Sequence, residues 1–318
     1  MKAYCSFTCL KMKNLKMKKH EWKCGMKTLG IDLGGTRIKF GVIEAGRILR
    51  EAACDTLTKE GYEAVAEQIA AGAEELYRLY PDIASVGLGS PGLIDTAKGV
   101  VRYSNNFGWN DAPICRDLER RLGLKVRAAN DAQCAALGEA LYGAGQGFGR
   151  MAMLTLGTGV GGGFVKDGRL ETDEYGSMAY IFGHSTVSLR GEPCNCGRQG
   201  CLEAYASAGA IERKSAGVYH KERKAHEIFE AARGGDETAK LLVREFSEYL
   251  SAGIVDIANI LRPHVIVIGG GVSGSCDLLL PKVNEELEKG VYGYSYAPVR
   301  AVCARLGNRA GMIGAASL

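Results

Sequence analysis

At 318 residues, 46% of them apolar, the chain can bury a large core and is long enough for two domains. The net charge of +4 is set by residues 1–25, where Lys2, Lys11, Lys13, Lys16, Lys18, Lys19 and Lys23 face Glu21 alone. The remainder is slightly acidic, which argues against a nucleic-acid binder. No apolar run reaches the roughly 18 residues of a membrane span and no secretory leader is recognisable, so a soluble cytoplasmic protein is expected.

The first segment, KMKNLKMKKHEWK, reads either as an amphipathic basic helix for an anionic partner or as a disordered tail or over-long gene start. The second reading is adopted, with Met26 opening MKTLGIDLGG. LGIDLGGTRIKFGVIEAGRIL (29–49) then gives a short apolar strand, a Gly/Thr turn, a second strand and a hairpin into a third. GYEAVAEQIAAGAEELYRLY (61–80) has helical spacing, and IASVGLGSPG (83–92) reads as a buried strand and a turn. CRDLERRLG (115–123) is a helix ended by Gly123. LKVRAANDAQCAALGEALYGAG is a strand followed by a helix capped at Asn130-Asp131.

LTLGTGVGGGFVKDGRLE (154–171) repeats the pattern of 29–49, which predicts two similar domains. Three further segments, LEAYASAGAIERKS, KAHEIFEAARGG and ETAKLLVREFSEYLSAGIVDIANILR, are helical. PHVIVIGGGVSG is a strand leaving through glycines, and RAGMIGAAS is a closing helix. Strands alternating with helices give an α/β fold. The expected division is a basic extension over 1–25, a small domain over 26–133 plus about 303–318, and a large domain over 134–302.

Glycines at a strand turn let backbone N–H groups approach phosphate oxygens. In the first repeat Gly34 and Gly35 would do so, Thr36 adds a hydroxyl and Asp32 suits a hydrated Mg²⁺. An ordinary hairpin would look the same. A second such turn, Gly157-Thr158-Gly159, on a repeated hairpin suits one nucleotide held between two domains. Neither is a Walker or Rossmann loop, since a strand follows each. Gly269-Gly270-Gly271 is either a tight strand exit or a floor for a purine. In isolation Asn130-Asp131 is a helix cap, although an aspartate there can also serve as general base.

Most of the eleven cysteines lie singly in apolar segments, as buried thiols do. His184, Cys194, Cys196 and Cys201 instead form a candidate tetrahedral Cys₃His zinc site with no open position for a catalytic water. A redox pair would need CxxC, which is absent.

Taken together, DLGGT, SPG (90–92), NFGW (106–109), NDAQCAALGE (130–139), LGTGVGGG, the histidine ahead of CNCGRQGCLE, and VIVIGGGVS resemble the ROK family of sugar kinases and repressors. The resemblance runs from Leu29 to the C-terminus. It implies an actin-like or hexokinase-like ATPase fold of two RNase H-like domains and an ATP-dependent, glucokinase-like sugar kinase. In this pattern Asp131 takes the proton from a hexose or amino-hexose hydroxyl, usually at C6. ATP and Mg²⁺ would lie against Asp32, Gly34, Gly35, Thr36, Lys39, Gly157, Thr158, Gly159, Gly269, Gly270 and Gly271. The sugar would lie against Gly92, Asn106, Asn130, Asp131, His184 and Glu203. Zinc would order the sugar loop, and a homodimer is usual among such proteins.

Relatives commonly carry Glu-x-Gly-His, and this chain reads Ile181-Phe182-Gly183-His184, with Tyr180 in place of a glycine. The metal half of the site is intact while the sugar half lacks a carboxylate, unless Glu171 or Glu174 fills the place. Two other functions follow from this pattern: a sugar-responsive regulator, or a nucleotide-binding homologue without kinase activity. A DNA-binding repressor would add a helix-turn-helix ahead of DLGGT, and none is recognisable in the 28 residues before Leu29. Because the nucleotide turns lie elsewhere in the sequence, loss of a zinc thiolate is expected to weaken sugar binding more than nucleotide binding.

Overall fold

In the computed structural model, which describes residues 25–174 and 177–318, the repeat seen in sequence becomes two sheets of the same topology. Gly25 apart, the basic extension expected over residues 1–25 lies outside the described residues. The chain begins with β1 (Lys27–Leu33), β2 (Arg37–Glu44) and β3 (Arg47–Asp55), an antiparallel meander. Helix α1 (Gly61–Leu79) follows, with Val65, Ile69, Ala73 and Leu76 buried at helical spacing. Strand β4 (Ile83–Ser90) then lies parallel to β1.

A small antiparallel sheet comes next, made of β5 (Leu93–Asp95), β6 (Val100–Ser104) and β7 (Trp109–Ala112). Its strands are too short to show alternation in sequence. Helix α2 (Ile114–Leu122) ends at Gly123, whose φ of 65° is the left-handed value a helix C-cap favours. Strand β8 (Lys125–Asn130) completes the first sheet, of order β3-β2-β1-β4-β8. Helix α3 (Asp131–Tyr142) starts from a capping box between Asn130 and Gln133.

The second sheet repeats the plan. An antiparallel meander of β9 (Arg150–Leu156), β10 (Val160–Lys166) and β11 (Arg169–Leu170) is extended in parallel by β12 (Val265–Gly269) and β13 (Arg300–Cys303), in the order β11-β10-β9-β12-β13. Between its strands run α4 (Glu203–Ala206), α5 (Ala208–Tyr219), α6 (Ala225–Arg233), α7 (Glu237–Leu261) and α8 (Cys276–Gly290). The segment LEAYASAGAIERKS, expected as one helix, divides at Ser207. The Ser207 hydroxyl caps α5 by accepting the Ala210 N–H at 3.0 Å.

Each sheet is covered on both faces. On the first, α1 and α2 bury Leu29, Phe40, Ile69, Leu88 and Leu118. On the second, α6, α7 and α8 bury Leu154, Phe164, Phe229, Leu250, Ile266 and Leu279. The remaining faces meet two helices. Ala136 and Leu137 of α3 pack on Met151, Val165 and Val267 of the second sheet. Met312 and Ile313 of α9 (Ala310–Ala315) pack on Ile43 of the first.

Helices α3 and α9 also face each other, at a spacing that tolerates no side chain. A Cβ on Gly314 would overlap the carbonyl oxygen of Cys134, and one on Gly138 would lie 2.5 Å from that of Ala310. Overpacking of this kind costs about 1–3 kcal/mol. Gly314→Ala is therefore expected to lower stability by about that amount in urea or thermal denaturation, and an unchanged midpoint would contradict the close contact.

Candidate active site

Asp131 occupies the first turn of α3, where the end of the first sheet meets the beginning of the second. Its Oδ1 accepts the Ala132 N–H at 2.9 Å. Asn130 is more fully engaged. Its Oδ1 accepts the N–H groups of Ala132 (3.0 Å) and Gln133 (3.3 Å), and its Nδ2 donates to Gly92 O at 3.0 Å. Asn130 thus fixes both the helix start and the SPG turn, and its side chain also hydrogen-bonds the Asp131 carboxyl.

Burial, with the nearby Asp32 carboxylate adding to it, raises the Asp131 carboxyl to about 6. Asp32, at the end of β1, is likewise raised by burial, and its Lys39 partner at 3.3 Å pulls the other way. Lys39 also donates to Asn308 O at 3.3 Å, ahead of α9. A carboxylate that changes charge near pH 6 is a competent base at neutral pH.

The three glycine turns fall on two sides of this pair. Gly34, Gly35 and Thr36 form the exposed turn between β1 and β2. The second turn, Gly157 to Gly159, lies between β9 and β10, and its hairpin approaches α3 closely: a Cβ on Gly161 would lie 2.8 Å from the Ala132 methyl. The third turn joins the second, since a Cβ on Gly270 would lie 2.6 Å from Leu156 N and O. Gly270 has φ 83°, a value that favours glycine.

The segment from Phe182 to His184 is a single 3-10 turn laid on β10. Gly162 sits under Phe182, where a Cβ would be 2.8 Å from the ring. Tyr180 packs edge-on to Phe164 at 5.5 Å and stacks with Phe182 at 6.1 Å. Ile181 between them is 53% exposed. Glu171 is tied through its N–H to Phe164 O at 2.9 Å, and Glu174 is exposed. Asn106 is exposed in the loop between β6 and β7, beside the stacked Phe107 and Trp109.

His184, Cys194, Cys196 and Cys201 converge, with one ligand atom from each lying within 4.8 Å of the others. Cys194 Sγ is 3.7 Å from His184 Nδ1, and the Sγ atoms of Cys196 and Cys201 are 3.6 Å apart. Those spacings and that donor set fit one tetrahedral zinc ion. Burial pushes the Cys194 thiol up to about 12, while the Arg198 N–H lowers that of Cys196. A metal bound there would displace protons from these thiols.

Two residues of this region escaped the sequence reading. Arg198 donates to His184 O at 3.1 Å and to Thr186 Oγ1 at 2.7 Å, tying the cysteine loop to the histidine turn. Its signal was being the one charged residue between Cys194 and Cys201. Glu139 is fully buried, with Oε1 accepting the N–H groups of Arg305 (2.9 Å) and Leu306 (2.7 Å) and Oε2 that of Ala144 (2.7 Å). Only its polarity within an apolar helix marked it.

Duplicated α/β halves with glycine turns on either side of a half-buried aspartate define an actin-like, hexokinase-like ATPase fold. The family model of the ROK family matches residues 28–318. A glucokinase of Thermotoga maritima is 37% identical over 310 residues, which span 92% of this chain and 97% of that protein. An N-acetyl-D-glucosamine kinase of Escherichia coli is 33% identical over 298 residues, 91% of this chain and 98% of that protein. The crystal structure of a ROK family glucokinase from Streptomyces griseus, in complex with glucose and AMPPNP, matches with a TM-score of 0.79. It is 34% identical and covers 92% of this chain and 98% of that one. The chain belongs to the ROK family.

If Asp131 is the base, only its ionised form works, so raising its carboxyl to about 6 puts the acid limb of the rate there. The expected kcat/KM for sugar is flat at neutral pH and falls about tenfold per pH unit below 6. A limb centred near pH 4 would remove Asp131 or its environment from the account.

Proposed function

We propose that this protein is an ATP-dependent sugar kinase. It transfers the γ-phosphoryl group of ATP to a hexose or amino-hexose hydroxyl, that at C6, with Asp131 as general base. The observation that carries this reading is the position of Asp131, half-buried beside Asp32 at the start of α3, with a glycine-turn hairpin against the helix. Asp131 accepts the hydroxyl proton as the sugar oxygen bonds to γ-phosphorus and the bond to ADP breaks. Phosphoryl transfer asks for positioning and charge neutralisation. The three turns supply backbone donors, Lys39 a cation, and Asp32 a carboxylate suited to a hydrated Mg²⁺. Bound Mg²⁺ would neutralise phosphate charge.

On the sugar side we assign Gly92, Asn106, Asn130, Asp131, His184 and Glu203, and on the nucleotide side the turns with Asp32 and Lys39. One zinc held by His184, Cys194, Cys196 and Cys201 would order the sugar loop. A small domain over 26–133 plus about 303–318 and a large one over 134–302 form the two walls. Family membership and the slightly acidic body support a cytoplasmic homodimer acting on small molecules rather than on nucleic acid. No helix among the described residues is long and apolar enough to cross a membrane. A purely sugar-responsive homologue is the weaker reading, because Asp131, Asp32 and the glycine turns are all in place.

Asp131→Asn keeps the shape and the cap but accepts no proton. It is expected to lower kcat by about 10² to 10⁴ while sugar affinity changes little. Near wild-type turnover would rule out the assignment.

Ile181 gives the site its preference. An apolar side chain at the histidine turn penalises a hydroxyl directed at it and leaves that hydroxyl unpaired. Wild-type kcat/KM for glucose should accordingly lie below about 10⁴ M⁻¹s⁻¹. Ile181→Glu should raise it about tenfold or more, in line with the cost of an unpaired polar group. Tyr180→Gly is the companion change if the new side chain is crowded, although it gives up two ring contacts. Wild type already efficient on glucose, or no gain from the substitution, would show that Ile181 does not set the preference.

A further inference from the structure

Although the nucleotide turns lie far from the cysteine cluster in sequence, the second turn is bonded to the segment that leaves the cluster. Glu203 stands two residues beyond Cys201. Its Oε2 accepts the Val160 N–H at 2.9 Å, and its Oε1 accepts from Cys194 Sγ at 3.8 Å. The carboxylate fills the space that a side chain on Gly159 would need. Five residues further on, the Ala208 N–H donates to Gly157 O at 2.7 Å. Residues 203–208 thus hold both ends of the turn.

Beyond backbone bonds and the Arg198 contacts, side-chain packing does little to fix the cluster. Its packed core consists of Cys194, Cys201 and Ala204, with Tyr205 against them, so two of its few buried side chains are the proposed ligands. A loop of that kind takes its order from the metal. We infer that Glu203 is a positioning residue that couples metal occupancy at His184, Cys194, Cys196 and Cys201 to the conformation of the Gly157–Gly159 turn, and so to nucleotide affinity. This rests on the proposed reading of that turn as a phosphate cradle. Metal holds Cys201 in place and, two residues on, Glu203 with it, and the Val160 N–H is pinned; the Cys194 thiol proton that Glu203 otherwise receives leaves when zinc binds. Without metal, the carboxylate and the turn shift together. The sugar loop is therefore only half of what the metal orders.

The test uses the full-length chain as purified, its zinc content, and the dissociation constant of a non-hydrolysable ATP analogue with Mg²⁺, read by calorimetry without sugar. Wild type should carry close to one zinc, and stripping it with a chelator should weaken analogue binding about tenfold, a typical coupling between sites. Glu203→Ala should keep its zinc, bind the analogue about as weakly as stripped wild type, and lose no more than about twofold on stripping, since linked effects do not add. Glu203→Gln retains an acceptor for Val160 and should recover most of the affinity, which a merely disrupted helix would not allow. Equal binding by loaded and stripped wild type overturns the inference alone. So does a Glu203→Ala protein that responds to stripping as wild type does. Wild type that binds no analogue in either state overturns the kinase reading and the inference with it. Should stripping unfold the chain, the loaded variants decide: Glu203→Ala with undiminished affinity overturns the coupling.

Discussion

Everything in the proposed mechanism depends on the contact between α3 and α9. Asp131 rides on the first turn of α3, and its distance from the glycine turns is set by how deeply that helix sits between the sheets. Carbonyl oxygens of each helix fill the places where side chains of the other would be, at Gly314 and Gly138. Contacts this close have little slack, because interiors at crystal-like density do not deform continuously. Asp32 and Asp131, which belong to different elements, are thereby kept near enough for one to raise the other.

Glu139 secures the far end of the same helix. A buried carboxylate without compensation would be costly. Here three backbone N–H groups surround it, and two of them belong to Arg305 and Leu306, where the chain passes from β13 towards α9. The helix bearing the proposed base is thus capped by Asn130 at one end and joined to the return connection at the other.

The repeated hairpins were legible because strand, glycine turn, strand and hairpin recur with the same residue types at 29–49 and 154–171, and shared sheet order followed. The cysteine cluster was legible because ligand chemistry allows few alternatives. The small sheet of β5 to β7 was not, since three to five residues carry too little alternation to register. The break at Ser207 was hidden for another reason: an N-cap is satisfied inside an otherwise helical pattern, and tertiary bonding to Gly157 selects it. Asn130 illustrates a residue whose cap role and proposed sugar-side role cannot be separated in sequence; its observed bonds run to α3 and to Gly92. The proximity of the second glycine turn to the cluster was beyond reach, because it depends on Glu203 and Val160 meeting across 43 residues.

Helix α9 is also late in the chain while lying at its centre. During synthesis the first sheet, α3 and most of the second sheet leave the ribosome before residues 310–315 exist. Until then the face of β1 and β4 that those residues cover, together with the glycine surface of α3, stays open. Such long-range contacts form last and leave apolar surface exposed meanwhile. A nascent chain lacking residues 310–315 would leave these surfaces uncovered, so the setting of Asp131 against Asp32 would be completed only when that helix docks.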